Sequence, residues 1–326
     1  MKALILAGGL GTRLRPLTYT RPKHLLPIAN RPHIEHVFDL VLACDVHEVV
    51  MLTSYLAGAF ESAIEEGSRR GIRMEVAHED EPLGTAGALK NAERYVGDDT
   101  FLAFNGDILT DVDLGELVRF HGARDAEATI LLTPVEDPSA FGVVPTDPDG
   151  RVRGFIEKPS RDEAPTNLIN AGIYVLEPSV LARIPEGEPY SAERGLFPEL
   201  AAAGTMYALA TDAYWMDIGT PRKYLQANLD ALAGDFSTSA VVDPGPGGVL
   251  LGEGSSVAES ASVAGACLGA GSTIEDGATV RDSVLLPGAV VGAGAVVEGS
   301  ILGQRAKVGP RATSRGETVA DDETYG

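Results

Sequence analysis

The first 34 residues hold six cations, Lys2, Arg13, Arg15, Arg21, Lys23 and Arg31, and no carboxylate. The whole chain carries 47 acidic against 26 basic side chains, a formal net charge of −21. A basic stretch inside so acidic a protein marks a place where an anion is caught. The same stretch contains Gly8-Gly9-Leu10-Gly11-Thr12-Arg13, where missing Cβ atoms let backbone N–H groups approach a phosphate closely. Arg13 and Lys23, flanked by Gly-rich and Pro-fixed turns, read as polyphosphate ligands. Lys2, Arg21 and Arg31 read singly as solvated surface. The loop fits neither common phosphate-binding pattern: no GxxxxGK[ST] string occurs, and Leu14 takes the place of a dinucleotide fingerprint's third glycine. The strand Glu48 to Thr53 is followed by Ser54-Tyr55 instead of a ribose-binding acid.

Composition narrows the class further. A net charge of −21 excludes a general nucleic-acid or anionic-membrane binder. Cys44 and Cys267 lie far apart without a CxxC pattern, which excludes a disulfide framework or zinc ribbon and suits a reducing, cytoplasmic setting. The apolar run Ala3 to Ala7 is too short for a signal-peptide core, and no run reaches the ~18 residues of a membrane span.

Those ligands must be positioned by elements, and 326 residues imply about two domains. Residues 1–232 alternate strand-like and helix-like patterns: Ala3 to Leu6, Glu48 to Thr53, Phe101 to Phe104, Thr129 to Thr133 and Ile173 to Leu176 as strands, Ile34 to Ala43 as a helix. This predicts a Rossmann-like α/β domain with a mostly parallel sheet, whose ligands bind beyond the carboxyl ends of the strands. Asp107 follows one such strand after a Gly turn, and Asp217 follows Tyr214-Trp215. By residue type alone, an Asp so placed forms a turn or caps a helix.

Residues 233–248 include Asp243-Pro244-Gly245-Pro246-Gly247-Gly248 and read as a linker. Beyond it Leu251, Leu268, Leu285 and Leu302 recur every 17 residues, as do Val257, Ile274, Val291 and Val308, and likewise Val263, Val280 and Val297. Three aliphatic columns spaced six, six and five residues apart describe hexapeptide repeats with one residue dropped per coil. The pattern predicts a three-sided parallel β-helix over residues 249–311 and resembles the left-handed hexapeptide helices. Residues 312–326, short and polar, read as a frayed tail. An exposed coil end is an open sheet edge, so the β-helix is expected to serve homo-oligomeric assembly, and removal of residues 236–326 to leave an active enzyme.

Leu6-Ala7-Gly8-Gly9-Leu10-Gly11-Thr12-Arg13-Leu14 with Pro22-Lys23 resembles the signature of the sugar-1-phosphate nucleotidyltransferases. The resemblance continues through Glu81-Pro82-Leu83-Gly84-Thr85-Ala86-Gly87, Asn105-Gly106-Asp107, Phe155-Ile156-Glu157-Lys158-Pro159, Asn170-Ala171-Gly172 and Trp215-Met216-Asp217-Ile218-Gly219. It implies transfer of a nucleotidyl group from a nucleoside triphosphate to a sugar-1-phosphate, with Mg2+ as cofactor. On that basis Arg13 would hold the leaving phosphates, Lys23 the α-phosphate and Lys158 the sugar phosphate. Leu6, Ala7, Gly8, Gly9, Gly11, Thr12, Glu81, Gly84 and Thr85 would bind nucleotide. Asn105, Gly106, Gly142, Glu157 and Asn170 would bind the sugar, and Asp107 and Asp217 the metal. Gly84-Thr85-Ala86-Gly87-Ala88 lacks the Gln of thymidylyl-transferring members, so the resemblance leans to the branch using GTP and mannose-1-phosphate. Glucose-1-phosphate thymidylyl or uridylyl transfer, and a non-catalytic regulatory relative, remain as alternatives. One of Glu79, Asp80 and Glu81 would suit guanine N1–H and N2–H, unless backbone reads the base. Residues 235–326 contain no histidine, which disfavours a second, acyl-transferring activity in the β-helix.

Overall fold

The structure, a computed structural model, describes residues 1–53, 57–241 and 244–326. Ser54 and Tyr55, named above, and Asp243 of the linker lie outside the described residues. The chain gathers into two units, residues 1–9 with 37–215 and residues 10–36 with 216–326. The segment carrying Arg13 and Lys23 is thus grouped with the C-terminal part of the chain. Three contacts show why. Ala29 N donates to Asn228 Oδ1 at 2.9 Å, the buried Tyr224 hydroxyl to Pro27 O at 2.6 Å, and Asn30 Nδ2 to Leu268 O at 2.9 Å.

The first unit is built on a sheet of β1 (Lys2–Leu6), β2 (Glu48–Thr53), β3 (Arg73–His78), β4 (Phe101–Asn105), β5 (Ala128–Pro134), β6 (Gly142–Val143), β7 (Ile156–Glu157), β8 (Leu168–Leu176) and β9 (Met206–Ala210). Its order is β7-β6-β8-β4-β1-β2-β3, with β5 pairing β8 and β9. The run β4-β1-β2-β3 is parallel, with Leu6 opposite both Leu52 and Asn105. β8 runs antiparallel to β4 and β5 and starts earlier than its apolar Ile173 to Leu176 segment suggests. Continuous apolar strands such as Ala3-Leu4-Ile5 and Leu102-Ala103-Phe104 are buried, as a sheet covered on both faces requires. Among the described residues no helix is long and apolar enough to cross a membrane.

In the second unit, helix α1 (Pro221–Ala233), N-capped by Thr220, precedes a parallel β-helix. The pairing follows the 17-residue period: Leu251, Leu268, Leu285, Leu302 and Val319 stand opposite one another in turn. Val257, Ile274, Val291, Val308 and Tyr325 form the second column, and Val263, Val280, Val297 and Ser314 the third. The expected frayed tail is therefore a further coil. Strands Thr313–Arg315, Thr318–Val319 and Thr324–Tyr325 complete it, with Ser314 and Val319 buried. The open aliphatic end is the first coil, where Leu251 is 58% exposed.

Candidate active site

At the carboxyl end of β1, where it meets β4, the first unit encloses a cavity of about 310 Å³. Leu6, Gly8 and Gly9 form one wall, Glu79, Pro82, Gly84, Thr85 and Ala88 another, and Asn105, Gly106 and Asp107 a third. Parallel β1 and β4 end side by side, so the loops that follow them must face the same space. The helix Gly84–Asn91 begins at the cavity. Its start is held against residues 188–190: Ala86 N and Gly87 N both donate to Tyr190 O at 3.0 Å. Gly84 has φ +72°, and a Cβ there would sit 3.0 Å from Tyr190 O, so the motif needs glycine for conformation and for space. Thr85 donates from Oγ1 to Glu193 Oε2 at 2.8 Å and accepts from Ala192 N at 2.8 Å, which fixes its rotamer.

Glu79 is the one acid of Glu79-Asp80-Glu81 that lines the cavity, and it is 4% exposed whereas its two neighbours face solvent. Burial pushes its carboxyl above the ordinary range, against a backbone hydrogen bond from Leu83 N at 3.3 Å. Glu81, expected at the nucleotide, is exposed and is not among the residues lining the cavity. A sequence signal existed: the alternation that turns Ala77 inward and His78 outward continues one residue beyond β3.

The sugar-directed motifs are locked to one another within the same unit. β8 and β5 shift register between Asn170 and Tyr174, a local break of the kind that re-aims side chains near sites. Asn170 Oδ1 accepts from Gly172 N at 2.8 Å and its Nδ2 donates to the buried Tyr174 hydroxyl at 2.9 Å. Gly172, at φ +75°, passes so near Asn105 that a Cβ would lie 2.7 Å from its Nδ2. Gly142 pairs with Glu157 across β6 and β7, and Lys158 follows with its amide donating to Phe141 O at 2.9 Å. Lys158 Nζ stands 3.5 Å from Glu157 Oε1 and is largely exposed.

The second unit carries the remaining predicted ligands. Gly11 adopts φ +60° just before the short turn Thr12–Leu14 that carries Arg13. Ala7 is buried at the end of β1 instead of lining the cavity of the first unit. The Arg13 guanidinium lies over Gly219, where a Cβ would stand 3.0 Å from Nη2, which accounts for the glycine of Asp217-Ile218-Gly219. Lys23 opens the turn Lys23–Leu25 behind Pro22. Asp217 pairs with the Lys223 ammonium. Lys2, Arg21 and Arg31 are not solvated surface: they engage Glu48 and Tyr95 O, Asp321 and Gln304, and Glu35 and Ser239 respectively.

Residues 2–234 match the Nucleotidyl transferase family and residues 246–324 the GMPPB C-terminal domain. The chain belongs to the nucleotidyl transferase family. Over 261 residues it is 40% identical to the mannose-1-phosphate guanylyltransferase of Mycobacterium tuberculosis, spanning 79% of this chain and 72% of that protein. It is 41% identical over 277 residues to a mannose-1-phosphate guanylyltransferase 2 of Arabidopsis thaliana, covering 81% and 75%. Among solved structures it resembles a glucose-1-phosphate thymidylyltransferase from Bacillus anthracis in complex with sucrose, at TM-score 0.65 and 30% identity over 73% of this chain and 97% of that one. HddC from Yersinia pseudotuberculosis, complexed with GMP-PN, aligns at TM-score 0.60 and 29% identity over 70% and 97%.

Proposed function

We propose that the chain is a mannose-1-phosphate guanylyltransferase, joining GMP from GTP to mannose-1-phosphate and releasing pyrophosphate. The observation that carries the choice of base is Glu79, a buried carboxylate on the cavity wall it shares with Pro82, Gly84, Thr85 and Ala88. Guanine presents N1–H and N2–H side by side, a donor pair that one carboxylate matches and that adenine, thymine and uracil lack. The mannose assignment is supported by the relatives that share about 40% identity.

The reaction is one in-line displacement: a sugar-phosphate oxygen attacks the α-phosphorus and the bond to pyrophosphate breaks. Positioning and charge neutralisation carry such a step. Arg13 holds the leaving phosphates, Lys23 meets the α-phosphate, and Lys158 holds the sugar phosphate. Glu157 accepts from, and Asn170 orients, the sugar hydroxyls. Asp107 and Asp217 each offer hard carboxylate oxygens, the donors magnesium takes alongside phosphates and water. Bound magnesium would neutralise phosphate charge. The free thiols of Cys44 and Cys267 suit the cytoplasm, and exposed Leu251 and Val257 on the first coil support a homo-oligomer closed through that end.

A pyrophosphate-release panel crossing GTP, ITP, dTTP, UTP, ATP and CTP with mannose-, glucose- and N-acetylglucosamine-1-phosphate tests this reading. GTP with mannose-1-phosphate is expected to give the highest kcat/KM. A better pair reassigns the substrate; no release from any pair leaves a binding role only.

A further inference from the structure

Arg21 stands two residues before Lys23, on the stretch that carries the proposed α-phosphate ligand. Its side chain is 15% exposed, and Nη2 donates to Asp321 Oδ2 at 2.6 Å and to Gln304 Oε1 at 2.7 Å. Asp321, 7% exposed, does more than pair with it. Oδ2 also accepts from Thr20 Oγ1 at 2.5 Å, and Oδ1 accepts from Gln304 N at 2.7 Å. One carboxylate on the last coil thus grips the two consecutive residues that precede Pro22-Lys23, and the coil beneath. On the other side of Lys23, Asn30 Nδ2 donates to Leu268 O at 2.9 Å on an earlier coil. The Lys23 turn thus has a β-helix contact on either side, with Pro27 and Ala29 held in addition by Tyr224 and Asn228 of helix α1.

We propose that Asp321 is a positioning residue for the transfer reaction: through Arg21 and Thr20 it sets where the Pro22-Lys23 turn presents the Lys23 ammonium. Pro22 is fixed at φ −60°, so few soft torsions separate the clamped Arg21 from Lys23. A displacement of about 1 Å in a positioning group can cost about 10²-fold in rate. The inference rests on the reading of Lys23 as a phosphate ligand.

The test is steady-state kinetics on the full chain, with the folded fraction monitored by circular dichroism at the assay temperature. Asp321→Asn should lower kcat about tenfold or more with both KM values within about twofold of wild type, the split expected when alignment and not binding is lost. Asp321→Glu, which keeps the charge, should recover part of that rate. Arg21→Gln combined with Asp321→Asn should be no slower than the worse single variant, because both break one contact. Asp322→Asn, whose partner Arg305 lies on the exposed face of the coil before it, should leave kcat unchanged. Wild-type kcat in Asp321→Asn while Lys23→Ala is inactive overturns the positioning role alone. Near-normal kcat in Lys23→Ala overturns the reading of Lys23 and the positioning role with it. A fall in kcat that only tracks loss of folded protein also overturns it. If Asp321→Asn does not fold, Gln304→Ala removes one Arg21 contact and spares the carboxylate; its kcat should fall measurably, and an unchanged value decides against the proposal.

Discussion

The two units hold their phosphate-directed residues by different means. In the first, Gly8, Gly9 and Asp107 ride on loops a few residues beyond adjacent strand ends, so the sheet that forms the core also places the site. In the second, Lys23 lies on a short turn flanked by Arg21 and Asn30, whose side chains contact coils 300 and 238 residues away in sequence. The first arrangement is robust to a change in any one side chain and sensitive to backbone space. The second inverts that sensitivity.

The largest effects should come from the carboxylates. Asp107→Asn and Asp217→Asn should each lower kcat by about 10³-fold, the several kcal/mol of transition-state charge stabilisation a metal supplies. Near-normal turnover in either at saturating magnesium removes that residue from metal binding and breaks the parallel between the units. Next, Arg13→Ala should reduce kcat/KM for the triphosphate and Lys158→Ala for the sugar phosphate, each by about 10- to 100-fold, as for lost charged hydrogen bonds. Equal damage to both substrates in both variants would show that the two cations act as one group.

Glu79→Gln should shrink the preference for GTP over ITP, which lacks N2–H, by about tenfold. The same variant has a stability signature. Burial raises the Glu79 pKa in the folded state, so the folded chain retains this proton as pH rises through the ordinary carboxylate range while the unfolded chain releases it. The contribution of Glu79 is therefore present at low pH and lost as pH rises through its folded pKa. Denaturant midpoints of Glu79→Gln should gain on wild type between pH 4 and pH 7, and parallel curves would contradict the buried assignment. The smallest effects separate two glycines. Gly84→Ala meets backbone at positive φ and should cost about 1–3 kcal/mol of stability. Gly219→Ala meets only the end of the Arg13 side chain, so it should shift triphosphate kinetics with an unchanged melting temperature.

The sequence made the first unit legible because its information is local. Ala3-Leu4-Ile5 followed by Gly8-Gly9 states both a buried strand and the loop that leaves it. The β-helix was equally legible over four periods, since each coil repeats the register of the last. It was lost in the final coil because Ser314 and Tyr325 replace aliphatics in two of the three columns, although the hydrogen-bonded ladder continues beneath them. The clamp on Arg21 was illegible for a different reason. A contact between a nonrepeating segment and one repeat leaves no periodicity in either, and an arginine in a basic stretch looks like surface until its distant carboxylate is seen. Under the proposed role of Asp321, removal of residues 236–326 should leave measurable but reduced transferase activity.

The parallel ladder has a fixed spacing of about 4.8 Å per coil, so the three steps from Leu268 to Asp321's level measure about 14 Å. Asn30 engages the lower mark and Arg21 the upper, with eight residues of chain between them. The β-helix is thereby a ruler, and its length is dictated by the segment it measures. Insertion of one complete 17-residue coil between Leu268 and Gln304 would preserve every column and every ladder bond, yet carry Asp321 one spacing beyond the reach of Arg21. The number of coils between Leu268 and Asp321 is thus matched to the segment from Arg21 to Asn30.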